Sequence, residues 1–155
     1  MAKEGRICTI LTTNFDEFIE QALDDEAIKY RVICTNEEYR EYFENGCEEF
    51  AVLKIHGTIS RPETIIAVAS HYKTSGGFDG YKSAVAHHFI KTVPTIFFGY
   101  SGWDFTHANY QEFWDAAGRA GGENIYFMRR KGSRGGPLLS KLVGRHIGDR
   151  LVIGE

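Results

Sequence analysis

The amino-acid sequence predicts an α/β protein with a mostly parallel β-sheet and helices on both of its faces. Two observations lead to this prediction. Short apolar segments typical of strands alternate with segments of helical periodicity, and residues 94–101 (PTIFFGYS) are almost wholly apolar, as in a strand buried on both faces. The 155 residues are 43% hydrophobic, which is enough for a sizeable core. We therefore expect one domain over residues 1–155.

The chain opens with two predicted strand-helix units. Residues 6–13 (RICTILTT) form the first strand, and residues 30–34 (YRVIC) form the second. The helix after the second strand begins with a capping box of Thr35 and Glu38 and ends at Gly46. The inner faces of the two helices carry mostly apolar side chains: Phe15, Phe18, Ile19, Ala22 and Leu23 in the first, and Tyr39, Tyr42 and Phe43 in the second.

The rest of the chain continues the alternation of strands and helices. We expect further strands at residues 50–57, 64–70, 94–101 and 124–130, and an edge strand at residues 150–154. We expect helices at residues 81–91, from Trp103 to about Ala117, and at residues 138–144. Strands that alternate with helices in this way favour parallel pairing.

Three of the predicted strands end in polar or glycine-containing sequences. These are residues 12–16 (TTNFD), 56–58 (HGT) and 99–102 (GYSG). Because the carboxyl ends of parallel strands lie at one edge of a sheet, and ligands of such sheets bind there, the sequence predicts a binding site at this edge.

Each of these sequences also has a purely structural interpretation. Asn14 is a suitable helix N-cap with Glu17 at the capping-box position, and Asp16 suits the positive end of a helix. His56 can serve as a hydrogen-bonded structural histidine as well as a base near neutral pH, and Gly99 can be a turn glycine. The pattern alone leaves both interpretations open.

Composition and charge restrict the class of ligand and the location. A net charge of −3 gives no general attraction for nucleic acid or an anionic membrane, and the basic residues from Arg129 to Arg134 form a loop that either grips phosphate or is simply solvated. The sequence has no transmembrane span and no secretory signal, so we expect a cytoplasmic protein. The 3 cysteines include no C-x-x-C pair, so we expect no zinc ribbon.

The order of three motifs resembles the sirtuin-like NAD-binding family. The motifs are TTNFDEFIEQAL, VLKIHGTISRPETII and TIFFGYSGWD, and the resemblance extends over nearly the whole chain. It is strongest to bacterial sirtuin-like domains of anti-phage defence proteins. The resemblance implies a Rossmann-like fold and NAD, or an ADP-ribose-like nucleotide, as the ligand.

The resemblance also implies roles for individual residues. Asn14 would contact the nicotinamide-side ribose and position the reacting water, His56 would act as general base at the ribose hydroxyls, and Asp16 would hold the nicotinamide. Catalysis is thus expected from Asn14 and His56. Nucleotide binding is expected from a second set: Thr12, Thr13, Asp16, Gly57, Gly99, Tyr100 and Ser101.

The sequence departs from the family pattern in two ways. The zinc-binding cysteines of protein-deacylating sirtuins are absent, so we expect no metal and favour hydrolysis of NAD over deacylation. The segment before Asn14 is too short for the glycine-rich strand-loop-helix that binds pyrophosphate, so we expect a homo-oligomer or a partner chain that supplies it. The alternative is a catalytically inactive module for nucleotide binding, protein binding or assembly.

Overall fold

The chain divides into two compact units, each with its own parallel sheet. The computed structural model describes residue 2 and residues 4–66, 80–100, 125–128 and 151–154. The first unit is Met1–Val85 and the second is Ala86–Glu155. The parallel strands and the helices of these units confirm the predicted α/β, Rossmann-like fold.

The sheet of the first unit has a fully buried central strand. Strand β1 is Thr9–Thr12, β2 is Arg31–Ile33 and β3 is Ala51–Lys54, and their order in the sheet is β1-β3-β2. All four residues of β3 are buried, as expected for a strand with parallel neighbours on both sides. Thr12 pairs with Lys54, so β1 and β3 end on the same rung of the ladder.

The sheet of the second unit has the strand order β4-β5-β6. Strand β4 is Thr95–Phe98, β5 is Ile125–Met128 and β6 is Leu151–Gly154, and the predicted strand at 150–154 is confirmed as an edge strand of this sheet. The prediction that β4 is buried on both faces was wrong, because Phe98 is 83% exposed. This strand pairs only with β5 among the described strands, and its burial alternates as in a half-covered strand. The helices predicted at Trp103 and at 138–144 lie outside the described residues.

The first helix does not begin where its local sequence indicates. Helix α1 is Phe18–Asp25, and its N-cap position is Glu17, which makes no side-chain capping bond. The prediction of Asn14 as N-cap was therefore wrong. The helical face was also misjudged: Phe18 is 72% exposed, whereas Glu20 is buried beside Leu23.

The second helix follows its local signals closely. Helix α2 is Asn36–Glu44, and its predicted capping box is confirmed: the Glu38 N–H donates to Thr35 Oγ1 (3.2 Å), and the Thr35 N–H donates to Glu38 Oε2 (3.0 Å). Tyr39 and Tyr42 are fully buried, as predicted, while Phe43 is partly exposed.

Residues 64–70 were predicted as a strand, and this was wrong for the part that the structure describes. Pro62–Thr64 is a 3-10 turn, and Ile65 and Ile66 follow it outside any strand. The segment folds back on the end of β3, because the Ile66 N–H donates to the His56 carbonyl (2.9 Å) and the Thr58 N–H donates to Thr64 Oγ1 (3.1 Å). Residues 67–70 lie outside the described residues.

The predicted helix at 81–91 is confirmed as α3, Gly80–Thr92. Its buried side chains include Val85, Ala86, Phe89 and Ile90, which are spaced as one helical face. Within the described ranges of the chain, no helix is both long and apolar enough to cross a membrane.

An ion pair joins the start of α2 to the turn after β3. Arg61 Nη1 lies 2.6 Å from Glu38 Oε1, while Glu38 Oε2 accepts hydrogen bonds from the backbone of Cys34 (2.8 Å) and Thr35. Burial acts to raise the pKa of Glu38, but the hydrogen bonds from Arg61, Cys34 and Thr35 outweigh it and lower the pKa to about 2. The charged carboxylate therefore stabilises both the helix start and the turn.

This ion pair predicts a pH-dependent stability. The folded-state pKa of Glu38 lies below its ordinary value of 4.5, so its stabilisation is complete above about pH 4.5 and is lost as the pH falls towards 2. Glu38→Gln should be less stable than the native chain at neutral pH, and the difference should shrink over this pH range. Thermal unfolding followed by circular dichroism measures both effects. Glu41→Gln, at the exposed pair with Arg31, is the control, and a Glu38→Gln deficit that is constant with pH would contradict the prediction.

Helices α1 and α2 end in the same motif with different residues at the left-handed position. In α2 the Cys47 N–H donates to the Tyr42 carbonyl across Gly46, whose φ is +76°, and in α1 the Ile28 N–H donates to the Leu23 carbonyl across Ala27, whose φ is +52°. Gly46 confirms the predicted helix stop. Alanine at the same position is strained, because its Cβ disfavours positive φ.

We therefore expect opposite effects from two substitutions. Ala27→Gly should raise the free energy of unfolding by about 0.5–1 kcal/mol, and Gly46→Ala should lower it by about 1 kcal/mol or more. Urea denaturation of the two variants and the native chain gives both values. A loss of stability in Ala27→Gly, as for an ordinary glycine in a helix, would show that the strain is negligible.

Candidate functional site

The candidate site lies at the carboxyl ends of β1 and β3. Thr12 and Lys54 share the last rung of this parallel pair. Asn14 and His56 therefore each lie two residues beyond the same rung, in the segments that follow the two adjacent strands. The structure thus brings two of the three predicted motifs to one edge of a sheet within one unit. This edge is where ligands bind in parallel α/β sheets.

The segment after β1 presents its polar side chains around a fixed turn. The Asn14 N–H donates to Thr12 Oγ1 (3.1 Å), and the side chain of Asn14 is exposed. Thr13 and Asp16 are half-buried, and Asp16 Oδ1 accepts from the N–H of Phe18 (3.3 Å) at the start of α1. Asp16 therefore satisfies one of the backbone N–H groups at the start of α1, and this bond fixes the position of its carboxylate.

Hydrogen bonds fasten the segment after β1 to the segment after β3. The Ile55 N–H donates to the Thr12 carbonyl (3.1 Å), and the Ile59 N–H donates to the Phe15 carbonyl (3.0 Å). The Thr58 hydroxyl donates to Glu17 Oε1 (3.3 Å). These contacts join the segment that carries Asn14 to the segment that carries His56.

His56 is buried at the end of β3, beside an aromatic ring. It is 7% exposed, and its ring centroid is 6.2 Å from that of Phe15. Gly57 follows with φ +87°, and a Cβ there would lie 2.2 Å from the Thr64 carbonyl oxygen. Only glycine fits this turn, so Gly57 shapes the site by allowing the chain to fold back closely.

Two charged residues close to the site, Lys54 and Glu20, were not predicted from the sequence. Lys54 is fully buried, and its Nζ lies 2.8 Å from Glu20 Oε1, whose side chain is 8% exposed. Lys54 Nζ also donates to the Asp16 carbonyl oxygen. The available signal was the lysine within the apolar segment FAVLKIHG, since a charge in a central strand requires a buried partner.

The third predicted motif belongs to the second unit and is described only in part. Gly99 follows β4 directly and has φ +64°, which supports the turn role of this glycine. The Tyr100 ring stacks on Phe97 with centroids 6.4 Å apart. Ser101 lies outside the described residues. The convergence of these residues with Asn14 and His56 stays a prediction.

The residues at this edge suit a polar organic ligand. An exposed carboxamide (Asn14), a carboxylate fixed at a helix start (Asp16) and a buried imidazole (His56) can orient a ligand, position water and accept a proton. Among the residues that the structure describes, no group of three or more acidic, histidine or cysteine side chains is arranged to hold a metal ion.

Comparison with known proteins identifies the family. The family model described as SIR2-like domain matches residues 8–141, which include both strand ends of the candidate site and β4. A search of curated proteins gives no match. The matched region is most of the chain and contains the three motifs that resemble sirtuins. The chain therefore belongs to the SIR2-like domain family of sirtuin-like NAD-binding proteins.

Proposed function

We propose that this domain is an NAD glycohydrolase, which uses water to cleave the bond between nicotinamide and ribose. The observation that carries the proposal is the placement of Asn14 and His56 two residues beyond one rung of adjacent strands, in a member of a sirtuin-like family. NAD is the substrate, and ADP-ribose, nicotinamide and a proton are the products.

The reaction places defined demands on the protein. The C–N bond to nicotinamide breaks with its electron pair leaving on neutral nicotinamide, positive charge develops on the ribose ring, and the oxygen of water bonds to the same ribose carbon. This resembles glycoside hydrolysis, in which polar groups around the sugar stabilise the charge. One proton of the water must be accepted by a base.

The described residues can meet these demands. His56 is the proton acceptor, because an imidazole nitrogen can accept a proton from water and this side chain lies buried at the site. Asn14 orients the water through its carboxamide, which does not change charge during the reaction. Asp16, fixed at the start of α1, accepts hydrogen bonds from the amide group of nicotinamide.

Other residues of the predicted set shape the site or line the nucleotide. The hydrogen bonds of Thr12 and the close turn at Gly57 set the positions of Asn14 and His56. We assign the lining of the nucleotide to Thr13, and the nucleotide contacts expected of Gly99, Tyr100 and Ser101 stay predictions.

The proposal predicts NAD cleavage that depends on Asn14 and His56. Asn14→Ala and His56→Ala should each lower kcat by about 10²-fold to 10⁴-fold, the usual contribution of a positioned general base or water-orienting group. Release of nicotinamide measured by chromatography gives kcat and KM. Asn45→Ala is the matched control, because Asn45 is an exposed asparagine at the C-cap of α2 and should leave kcat unchanged.

The outcome also separates the enzyme from a binding module. Calorimetric titration with ADP-ribose should show binding to the native chain and to both variants, since the variants lose chemistry rather than fold. Binding of ADP-ribose by a native chain that releases no nicotinamide would reject the hydrolase and support a nucleotide-binding module instead.

A further inference from the structure

A buried ion pair connects the end of β3 to the segment that carries Asn14. Lys54 is the last residue of β3, and Glu20 lies in the first turn of α1. Both side chains are more than nine-tenths buried, and Lys54 Nζ is 2.8 Å from Glu20 Oε1. Lys54 Nζ also donates a hydrogen bond to the carbonyl oxygen of Asp16.

These contacts place one ammonium group among three parts of the candidate site. Lys54 precedes His56 by two residues, Asp16 follows Asn14 by two residues, and Glu20 belongs to the helix that begins after Asp16. The hydrogen bond from Lys54 to Asp16 therefore joins the strand of His56 to the segment of Asn14. Among the described residues, no other hydrogen bond joins the Lys54 side chain to the segment of Asn14.

Stability alone does not account for a buried charge pair at this position. Removing two charges from water costs about as much as their mutual attraction returns, and apolar residues of similar volume are often as stable or more stable. The ammonium group does supply direction, because it donates a hydrogen bond to the Asp16 carbonyl oxygen, which an apolar side chain cannot do.

We propose that Lys54 is a positioning residue for the NAD-cleaving site and that Glu20 stabilises its buried ammonium group. Lys54 fixes the backbone at Asp16, and thereby sets Asn14 and the Asp16 carboxylate at the distance from His56 that the reaction needs. This inference rests on the proposed glycohydrolase function. It adds a residue pair that does not itself touch the substrate.

The test compares loss of catalysis with loss of stability. The double variant Lys54→Met/Glu20→Leu replaces the pair with apolar side chains, so its thermal unfolding midpoint should stay near that of the native chain. Its kcat should fall at least about tenfold, because small misplacements of catalytic groups have large effects on rate. A double variant with native kcat would overturn the proposal.

A second variant separates the two roles within the pair. Glu20→Gln keeps the Lys54 bond to Asp16 but leaves the ammonium group without its carboxylate, so the unfolding midpoint should fall by roughly 10 °C while kcat of the folded protein stays within about threefold. A tenfold loss of kcat in a Glu20→Gln protein that unfolds at the native temperature would contradict this division of roles.

The matched control is the other buried lysine near the end of β3. Lys82 is buried, and its Nζ donates to the Ile55 carbonyl oxygen (2.9 Å), which is outside the segment of Asn14. Lys82→Met should therefore leave kcat within about threefold of native. An equal loss of kcat in Lys82→Met and in the double variant would mean that general packing is responsible, and the proposal would fail.

One readout is independent of enzymatic activity. The Ile59 N–H donates to the Phe15 carbonyl within the segment that Lys54 holds, so its hydrogen exchange should speed up in the double variant and stay unchanged in Lys82→Met. If the native chain cleaves no NAD, the proposed function fails, and the exchange of Ile59 alone decides the positioning role. Unchanged exchange in the double variant would reject that role.

Discussion

The parallel pairing of β1 with β3 is the constraint on which the candidate site depends. The Thr12–Lys54 rung fixes where both strands end, and every contact of the site follows from it. A shift of one residue in this register would turn the side chains of β3 to opposite faces and separate Lys54 from Glu20. Catalytic geometry and the packing of the central strand are therefore set by the same hydrogen-bond ladder.

Local signals allowed much of the first unit to be predicted from sequence. The capping box of Thr35 and Glu38 and the stop at Gly46 depend on residues within a few positions of one another, and all three are as expected. The prediction failed where distant contacts override local preference. Asn14 is not an N-cap, because bonds such as that from the Ile59 N–H to the Phe15 carbonyl tie the chain to the segment after β3, and α1 begins only at Phe18.

The buried face of α1 shows a second limit of sequence reasoning. Hydrophobicity places Phe18 inside, yet Glu20 is the residue that packs towards the sheet, because the buried ammonium group of Lys54 requires a carboxylate. The two residues are 34 positions apart in the numbering of the chain, and their pairing exists only in the folded sheet. Lys54 in an apolar strand indicated that a partner was needed, but the local pattern could not identify it.

The ion pairs Arg61–Glu38 and Lys54–Glu20 differ in burial and act on different segments. Arg61 and Glu38 are partly exposed and fasten the turn that follows His56, whereas Lys54 and Glu20 are buried and fasten the segment that follows Asn14. A partly exposed pair loses less solvation, and Glu38 adds hydrogen bonds from the backbone of Cys34 and Thr35 to its contact with Arg61. A buried pair needs well-placed polar partners to offset its lost solvation, and these contacts in turn fix the backbone that supplies them. The buried pair therefore lies close to the segment of Asn14, and the proposed reaction requires Asn14 to be placed accurately relative to the water it orients.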